Sequence, residues 1–143
     1  PMLCCLHSRM TKDFDGWSSD KRSLHEKATR PYFTPADLVS ALGVNIGSEV
    51  DGTGSHHDRP VLIIRGFNAD TFFGVALSGR PRTGRFYFPL GQIEDREAVA
   101  NLSQARLHDT KRLLRKMGTL DERTFRELSR ALALTLFPEL GIK

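Results

Sequence analysis

Arg59 is followed by Pro60, Val61, Leu62, Ile63 and Ile64, so a side chain that stays positively charged near neutral pH opens an apolar run with the β-branched content of a buried strand. Pro60 fits there, because the first residue of a strand can do without its ladder N–H. A small-residue loop, Gly47-Ser48-Glu49-Val50-Asp51-Gly52-Thr53-Gly54, precedes it. A fixed guanidinium at the mouth of a strand suggests an anion site, since its planar fork matches two oxygens of a phosphate or carboxylate. Farther along, alternation in 98–107 puts Gln104 and Arg106 on one face, two hydrogen-bonding side chains side by side. Two basic clusters flank the apolar strands. Arg80, Arg82 and Arg85 have no acid among them, and Arg106, Lys111, Arg112, Arg115 and Lys116 are interrupted by Asp109 alone. Metal chemistry has little support: His56 and His57 are adjacent without spaced partners, and Cys4 and Cys5 are adjacent and outside any core pattern. No cofactor and no metal are expected.

These residues need a scaffold, and 143 residues with 39% hydrophobic content can bury one core. The excess of 21 Lys+Arg over 17 Asp+Glu gives +4 and a pI near 9.4, which favours a polyanionic partner. Apolar stretches are too short for a membrane span, and the first residues lack a secretory apolar region, so a cytoplasmic location is expected with no membrane partner. Residues 1–11 show no periodicity and read as disordered, and 12–36 read as an N-terminal arm with one short helix through Lys21 and Leu24, Trp17 anchoring it. Pro31 and Pro35 punctuate. The remainder, 37–143, reads as one unit. Strands are expected at 38–42, 59–67 and 71–78, the last two joined through Asn68-Ala69-Asp70, then at 85–90 and 98–107. Glu94 to Glu97 reads as an exposed turn. Leu113, Leu114 and Met117 suggest a short helical turn that stops at Gly118. A longer helix is expected from Asp121 to Phe137, with Phe125, Leu128 and Leu132 on one face and Pro138 ending it. The fold class is therefore mainly β with a C-terminal helix, a small barrel capped by helices.

Four blocks in this order resemble the MazF/PemK family of toxins from type II toxin–antitoxin systems. They are Gly47-Ser48-Glu49, Arg59-Pro60-Val61-Leu62-Ile63-Ile64, Ser78 after Val75-Ala76-Leu77, and Leu102-Ser103-Gln104-Ala105-Arg106-Leu107 leading to Asp109 and Lys111-Arg112-Leu113. The resemblance covers roughly 38–137, and Lys12 to Trp17 with Lys21 looks like a PemK-type subgroup that carries such an arm. Val50 stands where the family often has Gln, the first strand lacks the family's aromatic pattern, and Ser78 keeps the hydroxyl of a position that is commonly Thr.

The resemblance implies an SH3-like barrel and a metal-independent endoribonuclease that cuts single-stranded mRNA at a short sequence, leaving a 2′,3′-cyclic phosphate and a 5′-hydroxyl. It also implies a homodimer neutralised by a cognate antitoxin, and it makes Arg59 and Ser78 the catalytic pair. Their chemistry suits that role: a guanidinium fork and a hydroxyl donor can stabilise charge developing on a phosphorane. Arg59 is too basic to serve simply as the proton acceptor. Glu49, His56, His57, His108 and Asp109 are the candidates for that step, with Glu49 favoured by the family. Gln104, Arg106, Arg80, Arg82 and Lys111 are expected to contact RNA, and Phe86 or Tyr87 could stack a base. The alternatives are an RNA-binding or antitoxin-binding barrel without turnover and, from the same fold, an inhibitor of DNA gyrase.

Overall fold

The computed structural model describes residues 14–27, 30–42, 58–80 and 82–141. Its elements are α1 (Phe14–Glu26), β1 (Asp37–Leu42), β2 (Asp58–Gly66), β3 (Thr71–Ser78), β4 (Tyr87–Ile93), β5 (Arg96–Asn101), β6 (Arg106–Asp109), β7 (Leu113–Thr119) and α2 (Glu122–Leu136). Short 3-10 turns lie at Leu102–Gln104, Thr110–Arg112 and Pro138–Leu140. The expectations for 1–11 and for the Gly-rich loop, Glu49, His56 and His57 included, fall outside the described residues. No described helix is long and apolar enough to cross a membrane.

The strands pair antiparallel in the order β4-β5-β3-β2-β1-β7, with β6 also beside β3. β3 is shared on one side: β6 takes Thr71 to Gly74, and β5 takes Leu77 and Ser78. β6 and β7 lie on opposite sides of the β3-β2-β1 trio, yet only Thr110–Arg112 connects them. So short a connection forces the sheet to curl round into a half-barrel.

Side chains alternate across the curled sheet. Leu38, Leu62, Val75 and Leu77 point outward to a core completed by Ala98, Ala100, Leu102 and the α2 residues Leu128 and Leu132. Val39, Ala41, Val61, Ile63, Phe72 and Leu113 form a second core on the inner face. Gly74 sits where β3 is pressed between β2 and β6, and a Cβ there would meet Val61 Cγ1 at 2.8 Å and Phe72 Cε2 at 2.9 Å. The turn joining β2 to β3 is closed as anticipated by Asn68, whose Oδ1 accepts from Asp70 N at 2.8 Å and Thr71 N at 2.9 Å. Asp37, buried at 4% side-chain exposure, ties β1 to β7 by accepting from Thr119 Oγ1 at 2.9 Å and pairing with Lys116 Nζ at 3.0 Å.

Three elements differ from the sequence-based expectation. The run 98–107 is not one strand: β5 ends at Asn101, a 3-10 turn follows, and β6 starts at Arg106. Leu102 buries and its N–H donates to Phe86 O at 2.8 Å, while Ser103 Oγ donates to Asn101 Oδ1 at 2.7 Å, and these bonds turn the chain out of β5 before it returns to β3 as β6. Leu113 to Thr119 is a strand instead of a helical turn. Its register against β1 shifts at Leu38/Val39 and Ser40/Ala41, which destroys the simple period of two that would have marked it. Finally, β4 runs on through Gly91 (φ 77°) at a register shift, and Glu94 and Asp95 with φ of 49° and 62° make the tight turn into β5.

The N-terminal residues pack on the β6–β7 connection. Trp17 is buried under the Arg112 guanidinium, 5.4 Å from the ring centroid, and Lys111 Nζ donates to His25 O at 2.9 Å. Arg30 Nη1 bonds Asp109 Oδ1 at 2.6 Å, and its Nε pairs with Asp70 at 3.1 Å.

Candidate active site

Arg59 and Ser78 are brought together by register. The β2–β3 ladder ends at the pair Val61–Ala76, and Arg59 and Ser78 stand two residues beyond it on their respective strands. Both lie on the inner side: Arg59 follows the alternation of Val61 and Ile63, and Ser78 that of Phe72 and Gly74. Arg59 Nη1 reaches toward β3 and makes a long, 3.5 Å hydrogen bond to Leu77 O, which aims the guanidinium at the end of the strand that carries Ser78. Ser78 Oγ accepts from Arg80 N at 3.3 Å, and a hydroxyl that accepts retains its own proton to donate. Arg80 and Arg82 are exposed on the loop just beyond.

Arg106 occupies the same inner side of β3's other neighbour, opposite Gly74. Gly74 and Ser78 are four positions apart, about 13 Å along an extended strand. Gln104 is half-buried in the 3-10 turn between them, so it does not share a strand face with Arg106 as alternation had suggested. Lys111 turns to α1 through its bond to His25 O and does not join the Arg59 group. Phe86 is 38% exposed, but the Arg85 guanidinium lies over its ring at 5.0 Å.

Two proton-acceptor candidates can be placed by register. His108 stands opposite Phe72 and Asp109 opposite Thr71, six and seven residues from Ser78, or about 20 Å and more along the strand. Neither reaches a phosphate held by Arg59. His108 is instead stacked on Phe72, ring centroids 5.1 Å apart, with both ring nitrogens buried and without a hydrogen-bond partner. Burial, then the charges of Arg106 and Arg112, push its pKa down to about 4, so it is neutral near pH 7. Burial opposes the charge of Asp109, but the Lys111 N–H and Arg30 hold its carboxyl below the usual range. Arg112 is lowered by burial and by Arg106, with Asp109 opposing. Sequence reasoning read Arg112 as part of a basic run and of the family block Lys111-Arg112-Leu113, and did not find its seat on Trp17, because nothing local links the two positions. Among the described residues, no three His, Cys, Asp or Glu side chains are grouped to hold a metal ion.

An arginine fork beside a hydroxyl donor suits an anion that gains charge during reaction, and neither group is a base near neutral pH. Comparison with known proteins fits this arrangement. The sequence matches the family model of PemK-like, MazF-like toxins of type II toxin–antitoxin systems over residues 43–136. No curated protein sequence matches it. Among solved structures, it resembles a mycobacterial endoribonuclease in complex with its cognate antitoxin, with TM-score 0.56, 16% identity, and coverage of 73% of this chain and 95% of that one. It also resembles the Mycobacterium tuberculosis toxin MazF-mt6, with TM-score 0.55, 14% identity, and coverage of 70% and 95%. For a MazE–MazF structure from Deinococcus radiodurans the values are 0.53, 14%, 80% and 99%. At these identities the structural likeness speaks for the shared half-barrel and its C-terminal helix.

Proposed function

Because the chain belongs to the PemK-like, MazF-like toxins of type II toxin–antitoxin systems, we propose that it is an endoribonuclease that cleaves single-stranded mRNA without a metal ion. The observation that carries this reading is the Arg59 guanidinium turned to the Leu77 carbonyl, one residue before Ser78 at the end of β3. In the proposed reaction the 2′-hydroxyl oxygen bonds to the adjacent phosphorus as its proton passes to a base, and the bond from phosphorus to the 5′-oxygen breaks. The leaving oxygen takes a proton, giving a 2′,3′-cyclic phosphate and a 5′-hydroxyl. Arg59 and Ser78 donate to the non-bridging oxygens as charge builds on them. Glu49 is our choice of base because the family resemblance favours it over His56 and His57, and the register takes His108 and Asp109 out of reach. Arg80, Arg82, Gln104 and Arg106 bind flanking nucleotides in this scheme.

Residues 37–143 form the toxin domain, with 12–36 as an arm. The protein acts in the cytoplasm as a homodimer, and a separate antitoxin silences it. Incubation with mixed-sequence RNA in EDTA tests the chemistry: fragments with cyclic-phosphate ends are expected, and cleavage that EDTA abolishes would refute the metal-free route. Intact RNA under all conditions would leave only a binding barrel.

A further inference from the structure

Beside Ser78 the inner face continues across β5 and β4. Ser78 pairs with Val99, Val99 with Pro89, and Asn101 with Tyr87. Ala98, Ala100 and Leu102 belong to the outer core and Phe88 packs against it, so alternation turns Val99, Asn101, Tyr87 and Pro89 to the inner side. Asn101 is 6% exposed, and a buried amide needs partners for both of its ends. Its position just before the 3-10 turn suggests capping, but the side chain makes no capping bond. Oδ1 accepts from Ser103 Oγ at 2.7 Å, which directs Nδ2 the other way. Nδ2 donates to no described residue, and it is not sealed from solvent as the His108 nitrogens are. On the neighbouring strand Tyr87 is half-buried, and its N–H donates to Gly84 O at 3.2 Å. Gly84 has φ of 141°, and a Cβ there would stand 3.4 Å from Tyr87 Cδ2, so the glycine leaves that edge of the ring uncovered.

We propose that Asn101 and Tyr87 form a base-reading pocket beside Arg59 and Ser78: Tyr87 stacks the base of a nucleotide adjoining the scissile phosphate, and Asn101 Nδ2 donates to a carbonyl oxygen on that base. The proposal rests on the endoribonuclease reading and adds a sequence preference to it. The spacing suits one nucleotide. Asn101 lies one strand over and two positions along from Ser78, about 8 Å away, and Tyr87 lies two strands over, about 12 Å away. Single-stranded RNA can splay its bases into such a pair, where one side chain offers a π-face and the other a hydrogen bond. With Oδ1 engaged by Ser103, the amide is turned to present its donor, and the two-ended bond by which an unengaged Asn reads adenine is closed to it. Uracil, cytosine and guanine carry a carbonyl oxygen and adenine carries none. The pocket therefore disfavours adenine.

The test is to cleave mixed-sequence RNA with the full chain and to sequence the fragments on both sides of each cut. Wild type is expected to cut about tenfold less often where adenine stands at one of the two positions flanking the cut. Asn101→Leu is expected to flatten that preference at that position alone, and Asn101→Asp, an acceptor of nearly the same shape, to reverse it toward the amino group of adenine. Ser103→Ala, which releases Oδ1, is expected to admit adenine. Tyr87→Leu is expected to lower kcat/KM about tenfold whichever base is present, mostly through KM, and Tyr87→Phe, which keeps the ring, to restore most of that loss. If Asn101 and Tyr87 only support the fold, their variants melt lower and the base profile of the folded fraction stays as in wild type, which overturns the pocket. Wild-type affinity for two non-cleavable 2′-O-methyl RNAs, with uridine or adenosine at the selected position, keeps the test decisive if the variants fold poorly, and equal affinity overturns the pocket as well. A wild type that cuts RNA without excluding adenine at either flanking position overturns the pocket alone and leaves the endoribonuclease reading standing. A wild type that neither binds nor cuts RNA removes that reading itself.

Discussion

The two faces of the curled sheet are built from the same strands and do different work. Toward α2, Leu62, Val75 and Leu77 meet Leu128 and Leu132 in the larger hydrophobic core. Toward the inside, Val61, Ile63 and Phe72 form a smaller core, and on that same side lie Arg59, Ser78, Arg106 and His108. One step along β3, from Leu77 to Ser78, crosses from one regime to the other. The outer face therefore supplies the stability that lets the inner face hold cations and an imidazole whose nitrogens lack partners, arrangements that cost free energy on their own.

The largest expected effect sets these faces against each other. Arg59→Ala should lower kcat/KM for RNA cleavage about a thousandfold, roughly 4 kcal/mol of transition-state stabilisation, while the thermal melt stays close to wild type. Ser78→Ala should cost about ten- to a hundredfold, and Ser78→Thr, which keeps the oxygen, should retain most of the rate. On the other face, Leu128→Ala should destabilise the fold by about 3 kcal/mol in denaturant titration and leave cleavage per folded molecule unchanged. If Leu128→Ala, assayed while folded, loses as much activity as Arg59→Ala, the division between the faces is wrong.

Gly74 sits where β3 leaves no room for a side chain. Gly74→Ala would drive a methyl within 3 Å of Val61 and Phe72, and with the Leu62 carbonyl at 3.1 Å there is little room to yield. A loss of about 2 kcal/mol in stability is expected. An unaltered melting temperature would show that β3 can move away from β2 at no cost, and the register that brings Arg59 toward Ser78 would then be looser than described.

How much of this was legible in the sequence depends on whether local chemistry or distant pairing decided the outcome. β2, β3 and their turn could be read because β-branched runs and Asn68 act locally, and α2 because its apolar residues keep helical spacing up to Pro138. β7 was hidden by the register shifts along β1, which scramble the alternation a strand would otherwise show. Gln104 and Arg106 were paired by a period of two that ignores the 3-10 turn at Leu102–Gln104. At the site, Arg59 stood out as a cation opening an apolar strand, and Ser78 came from family order. Their placement is a matter of cross-strand register. The seat of Arg112 on Trp17 and the stacking of His108 on Phe72 are tertiary contacts that no short window contains.

His108 gives the inner face a pH dependence that the outer face lacks. Its folded pKa of about 4 lies below the ordinary imidazole value of 6.5, so the unfolded chain binds the proton more tightly. Stability is then complete above about pH 6.5, declines as pH falls, and levels off below pH 4. The loss at pH 5 should be about 2 kcal/mol. Asp37 and Asp109 are held below the usual carboxylate range, so their contributions fade at lower pH as those groups protonate, which separates the two effects. Arg106 and Arg112 face the imidazole and stay charged throughout, so they oppose its protonation at every pH in this window. His108→Leu should abolish the decline between pH 6.5 and 4. At pH 7.5 it should change stability by no more than about 1 kcal/mol, because it replaces a ring without hydrogen-bond partners by an apolar side chain of similar bulk. Urea titrations of both proteins across that range decide the matter. An acid limb that survives in His108→Leu would place the titrating group elsewhere, and a loss well above 1 kcal/mol at pH 7.5 would mean that the imidazole nitrogens are satisfied by water.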